Sequence, residues 1–399
     1  MSLLRSASFQ AAALAHFAVD LLNSQRPVLL AVLSVPLGLT NAMIGLISML
    51  YTFSASLSQP VFGWLADRTG TRAVGAGGVI WMGGLFALAM ITPGSGSLVL
   101  LILAALGSAA FHPAGTVEAA ESGRVHFSGQ DTTAASIFFL FGQAGYSIGP
   151  AIGGPLIDRW GPPGLLVLVP FMLPIGLFTS RRFTPSHPAK PWEAAPAARA
   201  SAGWGVFLPL AVQAALRSWA QTNVITFLPK YYSDLGYSPS TYGVLAALFM
   251  AGSAIGGVGG GWMADRVDKR HVMLWTMVLG AVPLALFPTL ATTAWAYALA
   301  PLAGALTGAS HSISVVLAQR ALPGRLGAAS GLGLGFTFAS GSVGTLLSGV
   351  QADLAGFDVV FWTTAAISLG GGLAALFVRD VPKLPGRTAL PAVQDSAGD

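Results

Sequence analysis

The feature of this sequence that most constrains its fold is a series of apolar stretches, each followed by a polar connection. A helix needs roughly 20 apolar residues to cross a lipid bilayer, and twelve stretches approach or exceed this length. They cover approximately residues 9–34, 42–65, 73–92, 97–119, 131–155, 162–180, 204–231, 240–263, 272–291, 294–318, 327–351 and 359–378. The sequence therefore predicts an all-α integral membrane protein with twelve transmembrane helices.

Composition supports a membrane protein and excludes several functions. Charged residues make up 9% of the 399 residues, whereas a soluble domain has about 25%. The net charge of +5 comes from the connections, and no long basic run predicts a nucleic-acid partner. The chain has no cysteine, which excludes disulfides and thiol nucleophiles. It also lacks the H-E-x-x-H motif, so we expect neither an enzyme nor a cofactor.

One long polar stretch, residues 181–203, divides the twelve spans six and six. Its proline, alanine and arginine content is typical of a mobile linker. We expect an N-terminal bundle at 1–180, a cytoplasmic linker at 181–203 and a C-terminal bundle at 204–382. The remaining residues, 383–399, are expected to form a disordered cytoplasmic tail.

The two halves share a ten-residue motif that follows the second span of each. Gly63-Trp64-Leu65-Ala66-Asp67-Arg68-Thr69-Gly70-Thr71-Arg72 matches Gly261-Trp262-Met263-Ala264-Asp265-Arg266-Val267-Asp268-Lys269-Arg270 at an offset of 198 residues. Parallel repeats of this kind are related by an axis along the membrane normal, and their ligand binds near the midplane between them. We therefore predict two pseudo-symmetric six-helix bundles.

The distribution of basic residues predicts the topology. Sixteen of the 20 Lys and Arg residues lie in cytoplasmic segments if the N-terminus is placed in the cytoplasm. Arg159 and Lys230 lie in the opposite connections, while Arg26 and Arg217 lie within spans. Because short cytoplasmic loops carry an excess of Lys and Arg, both termini are predicted to be cytoplasmic.

The first span carries polar residues inside an apolar stretch. His16 and Asp20 are four residues apart and Asn23 follows three later, so the three share one face of a helix. An ionisable residue inside a membrane span is costly unless it faces a bundle interior or a watery cavity. This face is therefore predicted to line a transport pathway.

The second half carries a charge opposite to that of Asp20. At an offset of about 197 residues, His16 aligns with Gln213, Asp20 with Arg217 and Arg26 with Asn223. The two central helices thus place opposite charges at equivalent depths, and we propose that both charges face a common cavity. The alternative is an ion pair that only holds the halves together.

The shared ten-residue motif resembles the signature loop of the major facilitator superfamily, G-x-L-A-D-R-x-G-x-R. The resemblance implies that superfamily's two-bundle fold and assigns a gating role to Gly63, Asp67, Arg68, Arg72, Gly261, Asp265, Arg266 and Arg270. In the fifth span, Gly145-Tyr146-Ser147-Ile148-Gly149-Pro150-Ala151-Ile152-Gly153-Gly154 is similar to the motif of the superfamily's drug antiporters. Such glycine runs are also typical of close helix packing. Glu118 is expected to pair with a nearby arginine or the signature loop in a cytoplasmic gate.

Several motifs resemble the fosmidomycin resistance protein family over about residues 10–380. They are His16-Phe17-Ala18-Val19-Asp20, Gln59-Pro60-Val61-Phe62-Gly63, Phe111-His112-Pro113 and Leu322-Pro323-Gly324-Arg325. Members of that family export the phosphonate antibiotic fosmidomycin and resemble proton-driven antiporters. One departure is Ala114, which stands where that family often has an acidic residue after the His-Pro of the fourth span. The exact substrate therefore stays open.

The candidate site residues form two groups. Asp20 is the predicted proton carrier, with His16 and His112 as tuning or relay residues. Arg217 is the best candidate to bind an anionic substrate, because a guanidinium can hold a phosphonate or carboxylate with two hydrogen bonds. Further substrate-binding candidates are Asn23, Gln143, Gln213, Gln221, His311 and Arg26. The histidine spacing gives no recognised pair of metal ligands, so no metal is expected.

Together these features predict a monomeric antiporter of the bacterial cytoplasmic membrane. It would exchange protons for a small anionic or amphiphilic drug by alternating access, with the proton gradient as its energy source. An uncoupled transporter, or one for lipids or metabolites, is the alternative with the same fold. In that alternative, Asp20 and Arg217 are purely structural.

Overall fold

The computed structural model describes residues 5–126, 131–183, 204–321 and 326–379, and all regular secondary structure in these ranges is helical. The first half contains α1 (Ala7–Asn23), α2 (Arg26–Ser34), α3 (Asn41–Ser56), α4 (Gln59–Thr69), α5 (Thr71–Ile91), α6 (Gly96–His126), α7 (Asp131–Trp160), a 3₁₀-helix (Pro162–Leu168) and α8 (Met172–Arg182). The second half contains α9 (Trp204–Asp234), α10 (Pro239–Ala264), α11 (Lys269–Leu290), α12 (Ala296–Gly308), α13 (His311–Ala321) and α14 (Leu326–Ala375).

These helices correspond to the twelve predicted spans, some of which are broken. The first span breaks at Ser24 and Gln25, between α1 and α2. The second breaks just before Pro60, which lies in the first turn of α4, where its missing N–H is tolerated. Inside α14, Gly356 adopts a positive φ of 82° and turns the chain between the last two spans. Glycine suits this position because other residues adopt such a conformation only with strain.

Eight helical stretches among the described residues are long and apolar enough to cross a membrane by length and composition alone. The last, residues 335–375, contains two spans because Gly356 turns the chain within it. The first, second and seventh predicted spans are not among the eight. The first and second spans are each broken into two shorter helices, and the three spans include the helices that carry Asp20 and Arg217.

The two halves contact each other mainly through two pairs of helices, and the internal repeat relates one pair to the other. Helix α7 packs along α10, and α3 packs along the first part of α14. Glycines bring the backbones close: a Cβ on Gly154 would lie 2.4 Å from the carbonyl oxygen of Pro239, and one on Gly45 would lie 2.9 Å from Leu346 Cα. The halves therefore meet tightly where α7 ends and α10 begins. We call this end of the molecule the Asp158 end, after a residue in the last turn of α7.

Some predictions fall on residues outside the described ranges. They are the linker after residue 183, the tail at 383–399 and the motif at 322–325. The described helices otherwise give the predicted all-α membrane architecture.

Candidate functional site

A cluster of polar side chains surrounds Asp20 where α1 meets α6. His16 places Nε2 3.3 Å from one carboxylate oxygen of Asp20, and His112 on α6 places Nε2 3.6 Å from the other. The side chain of Asp20 is 15% exposed and that of His16 is 3% exposed. The structure thus brings together the three residues assigned to proton coupling, in a place that is largely shielded but still reachable.

The outer nitrogens of both histidines are fixed by backbone carbonyl groups. Nδ1 of His16 lies 2.8 Å from the carbonyl oxygen of Phe138, and Nδ1 of His112 lies 2.7 Å from that of Ser108. A carbonyl oxygen can only accept, so each Nδ1 carries a hydrogen. Each Nε2 then faces the Asp20 carboxylate either with a hydrogen, as a donor, or without one, as an acceptor. The contacts are attractive only when protons lie between these atoms, which makes the cluster a chemically suitable proton site.

Asn23 completes the cluster and connects it to a third helix. Its amide nitrogen donates to an Asp20 oxygen at 2.8 Å and to the Ser108 hydroxyl at 2.9 Å. Its amide oxygen accepts a hydrogen bond from the Tyr51 hydroxyl of α3 at 2.7 Å. In this conformation the protein itself engages the polar groups of Asn23, and its substrate-binding role stays a prediction.

The glycine motif of the fifth span forms the wall behind this cluster. In α7, Gly142 lies directly against the His16 ring, since a Cβ there would be 2.3 Å from Nε2. Three motif glycines continue the same face along α1 and the break that follows it. Added Cβ atoms would meet the Phe17 carbonyl oxygen at Gly145, the Ser24 hydroxyl at Gly149 and the Gln25 side chain at Gly153, all within 2.2 Å. Pro150 and Gly154 face α10 instead, so the motif packs α7 against both halves.

His16, Asp20 and His112 also have ligand-type atoms within 4.8 Å of one another, and so could hold a metal ion. The expectation of no metal came from spacing along single helices, and it overlooked a set that combines α1 with α6. That expectation stays a prediction. The two backbone-bonded Nδ1 atoms direct both Nε2 atoms at Asp20, and this geometry serves a shared proton equally well.

The second half holds a separate cluster around Arg217, which is 1% exposed. Its guanidinium donates to Gln221 at 2.8 Å, and Gln221 in turn donates to Ser253 of α10. His311, at the start of α13, lies near the Arg217 guanidinium. Four of the polar residues assigned to the second-half site are therefore neighbours on α9 and α13: Gln213, Arg217, Gln221 and His311.

Two buried donors of α9 have no acceptor among the described residues. They are Nε of Arg217 and Nε2 of Gln213, although the Gln213 oxygen accepts from Ser314 at 3.1 Å. Buried donors without partners are costly in a folded protein. Because Gln213 and Arg217 are four residues apart on one face of α9, these two donors form a suitable binding site for an anionic group.

Asp20 and Arg217 do not form an ion pair in this structure. Among the described residues, the charged partners of Asp20 are His16 and His112. The alternative that a direct Asp20–Arg217 pair holds the halves together is therefore wrong for this conformation. Each charge is instead surrounded by polar groups of its own half.

Two other substrate candidates lie apart from the Arg217 cluster. Arg26 is buried, donates to Thr52 at 3.2 Å and lies over the Tyr51 ring at 4.8 Å. Its neighbours are thus in the first half, next to the Asp20 cluster. Gln143 is exposed on α7. Neither is brought into contact with Arg217.

The signature loops make matching contacts within their own halves. Arg68 lies over the Trp64 ring at 4.1 Å, and Arg266 lies over the Trp262 ring at 3.9 Å. In the first half, Arg72 donates to the Phe183 carbonyl oxygen at 3.1 Å, and Glu118 accepts from Thr71. Glu118 thus contacts the end of the signature loop, at the position where the gate was predicted.

In the second signature loop, Arg270 pairs with Asp268 at 2.8 Å. The side-chain hydrogen bond from Arg270, together with one from its backbone, lowers the pKa of Asp268 to about 2. Asp268 therefore stays ionised across the physiological range and caps the start of α11. Arg270 thus stabilises a helix start in this conformation.

The sequence alone did not identify several groups that shape the Asp20 cluster. They are the Ser108 and Tyr51 side chains and the carbonyl oxygen of Phe138. A serine, a tyrosine or a backbone carbonyl within an apolar helix carries no distinctive signal. Their role depends on which helices meet, and the sequence pattern did not give that.

Comparisons with known proteins agree with this architecture. The family model of the Major Facilitator Superfamily matches residues 11–211 and 210–397. The chain is 27% identical to the fosmidomycin resistance protein of Escherichia coli (strain K12) over 381 residues, covering 93% of this chain and 92% of that protein. It is 28% identical over 384 residues to an uncharacterized MFS-type transporter, YfnC, of Bacillus subtilis (strain 168), covering 92% and 91% of the two chains.

Solved structures show the same fold at lower identity. A bacterial homolog of the human lysosomal transporter Spinster, in an inward-facing and occupied conformation, matches with a TM-score of 0.72 and 13% identity, covering 94% of each chain. The nucleoside transporter NupG matches with a TM-score of 0.75 and 16% identity, covering 93% of this chain and 99% of that one. At these identities the likeness concerns the fold alone.

Proposed function

Since this chain belongs to the Major Facilitator Superfamily, we propose that it is a proton-coupled antiporter that exports small anionic or amphiphilic drugs. Phosphonates such as fosmidomycin are the first candidates, because the fosmidomycin resistance protein of Escherichia coli is similar over nearly the whole chain. The protein works as a monomer in the bacterial cytoplasmic membrane with both termini in the cytoplasm. The proton gradient supplies the energy.

The observation that carries this proposal is the arrangement of His16, Asp20 and His112. Both Nε2 atoms face the carboxylate, while both Nδ1 atoms are held by carbonyl oxygens. A carboxylate and two imidazoles in this arrangement can share, take up and release protons. The partial exposure of Asp20 and His112 supports exchange of those protons with an aqueous pathway.

The drug-binding part of the proposal rests on Arg217. Its buried guanidinium and the amide of Gln213 offer donors without acceptors among the described residues. A phosphonate or carboxylate could accept from both, and a buried hydrogen bond to a charged group is stronger than a neutral one. Proton binding in the first half and drug binding in the second then bias the alternation between inward-open and outward-open states.

Proteoliposomes with an acidic lumen and a lumenal pH dye test the proposal. Fosmidomycin is added first, followed by a panel of phosphonates, carboxylates and lipophilic cations. We expect at least one compound to raise the lumenal pH in vesicles with the wild-type protein, because drug entry requires proton exit. Asp20→Asn removes the titratable carboxyl group and should abolish this response.

The matched control is Asp358→Asn. This variant also removes one carboxylate, but Asp358 accepts a hydrogen bond from Tyr231 in the second half. The control should respond to drugs like the wild type. An equal response in Asp20→Asn would move the proton site away from Asp20. Measurable drug uptake with no pH response for any compound would overturn antiport and favour the uncoupled alternative.

A further inference from the structure

We propose that Tyr51 is a positioning residue of the proton site, although it does not touch Asp20. Its hydroxyl holds the Asn23 amide in the orientation that favours an ionised Asp20. Through this bond, helix α3 responds to the protonation state of the carboxylate. The inference rests on the proposed function, since it assigns Tyr51 a role in the same proton exchange.

The hydrogen-bond directions follow from the groups involved. An ionised carboxylate can only accept, so the neighbouring group of Asn23 must be its NH₂ group. That group lies 2.8 Å from an Asp20 oxygen, and the amide oxygen points the other way, to Tyr51. Tyr51, which is 4% exposed, donates to this oxygen at 2.7 Å. The hydrogen bond from Tyr51 to the amide oxygen thus keeps the NH₂ group of Asn23 directed at Asp20.

Protonation of Asp20 reverses the donor and acceptor roles in this series of hydrogen bonds. A protonated carboxyl can donate to an amide oxygen, so the Asn23 amide can turn over. Its NH₂ group would then donate to the Tyr51 hydroxyl oxygen, and Tyr51 would change from donor to acceptor. The two protonation states therefore have different hydrogen-bond patterns. Tyr51 donates to Asn23 when Asp20 is ionised and accepts from Asn23 when Asp20 is protonated.

The location of Tyr51 connects this change to the other half of the protein. Tyr51 belongs to α3, and α3 packs along α14 with its Gly45 against the Leu346 backbone. Asn23 also contacts Ser108 of α6, beside His112. The proton site is thus linked by hydrogen bonds to one of the helices through which the halves meet.

Other titratable and charged groups also face Asp20. His16 lies on the same helix, His112 on α6 and Tyr146 on α7, while Arg26 of α2 lies over the Tyr51 ring. Only Tyr51, among the described residues, is hydrogen-bonded to the Asn23 amide oxygen. Tyr51→Phe therefore removes one donor and keeps the ring on which Arg26 lies.

Infrared titration of the purified full-length protein tests the inference without transport. A protonated buried carboxyl group gives a C=O stretching band, and the band of Asp20 is identified by its loss in Asp20→Asn. In Tyr51→Phe the Asn23 amide is no longer held, so the carboxylate form loses support. We expect the midpoint of this band to move to higher pH by about one unit.

Tyr146→Phe is the matched control, because it removes a tyrosine hydroxyl near Asp20 that has no bond to Asn23. Its midpoint should stay within a fraction of a pH unit of the wild type. An unchanged midpoint in folded Tyr51→Phe would overturn the inference and leave the proton site intact. If the wild-type protein shows no Asp20 band at any pH, the proton site of the proposed function itself fails.

In proteoliposomes, the pH dependence of drug-driven proton movement should shift in the same direction. Tyr51→Phe should change this pH profile more than the apparent KM for the drug, because the drug is proposed to bind around Arg217. A raised KM with an unchanged pH profile would place Tyr51 at the drug site and contradict the positioning role.

Discussion

The chemistry of Asp20 depends on the atoms that surround its two carboxylate oxygens. One oxygen faces His16, and the other faces His112 and the Asn23 amide. The position of His16 is set from behind by Gly142. A residue without any functional group thus controls how close an imidazole comes to the carboxylate.

Gly142→Ala tests this dependence. The new Cβ would lie 2.3 Å from Nε2 of His16, so the imidazole must move away from Asp20. Since a displacement of about 1 Å can cost roughly 100-fold in an active site, we expect drug-driven proton movement to fall by about 10- to 100-fold. The measurement is the lumenal pH response in proteoliposomes.

Gly84→Ala is the control for this substitution. Gly84 also lies inside a membrane helix, α5, but a Cβ there meets no atom within 4 Å. This variant should transport like the wild type and should be stabilised by about 0.5–1 kcal/mol, because alanine favours helix more than glycine does. Wild-type activity in Gly142→Ala would show that the position of His16 is not critical.

Part of the site could be predicted at this scale. His16 and Asp20 were recognised because ionisable residues inside an apolar span are rare, and their spacing places them on one face. The contact of His112 with Asp20 could not be derived, since it joins residues 92 positions apart. The ion pair with Arg217 was a plausible extrapolation from pseudo-symmetry, but nearby polar groups in each half satisfy the two charges.

At the scale of helices, two carboxylates cap helix starts across the boundary between the halves. Asp353 of α14 accepts from the backbone N–H groups of Asn41 and Ala42, both at 2.8 Å, at the start of α3. Asp158 of α7 accepts from the backbone N–H of Ser240, at 2.9 Å, near the start of α10. The two contacts are equivalent under the internal repeat, and each half caps a helix of the other.

These caps predict how the Asp158 end opens. A carboxylate at a helix start contributes about 0.5–2 kcal/mol, and this contribution is lost whenever the halves separate there. Asp353→Ala should therefore increase the population in which the Asp158 end is open. Because the chain has no cysteine, spin labels can be attached at Val35→Cys and Trp295→Cys, and their distance distribution measured.

We expect a larger long-distance population in Asp353→Ala, and a further increase in the double variant with Asp158→Ala. Asp234→Ala is the control, since Asp234 carries the same charge at the same end but pairs with Lys230 of its own helix. Identical distance distributions in Asp353→Ala and Asp234→Ala would show that the caps do not set this balance.

The helices themselves were largely predictable. Apolar length located the twelve spans and thereby the connections between them, two of which contain Gly94 and Gly161 with positive φ values. The breaks within the first, second and tenth spans were not predicted. A break of one or two residues hardly changes local hydrophobicity, so its position depends on packing against neighbouring helices.

At the scale of the whole molecule, the two halves share a fold and differ in charge. The first half surrounds a carboxylate with two imidazoles, and the second half buries a guanidinium beside one imidazole. The signature loops at one end of the molecule, and the helix caps by Asp158 and Asp353 at the other, follow the symmetry of the internal repeat. The departure from symmetry is concentrated on the central helices, where the proton and the drug are proposed to bind.

In the proposed mechanism, Asp20 couples drug movement to proton movement without itself binding the drug. Two assays on the same proteoliposomes separate this coupling from drug binding and alternation. Exchange of labelled for unlabelled drug at equal pH requires binding and alternation but no net proton movement. Accumulation of drug in vesicles with an acidic lumen also requires proton exit.

Wild-type protein should perform both processes with any compound that it transports. Asp20→Asn should retain exchange and lose accumulation, because the substitution keeps the shape of the site and removes its proton. Accumulation by Asp20→Asn at the wild-type level would contradict the claim. Loss of exchange together with accumulation, in a variant that remains folded, would show instead that Asp20 is required for drug binding or for alternation itself.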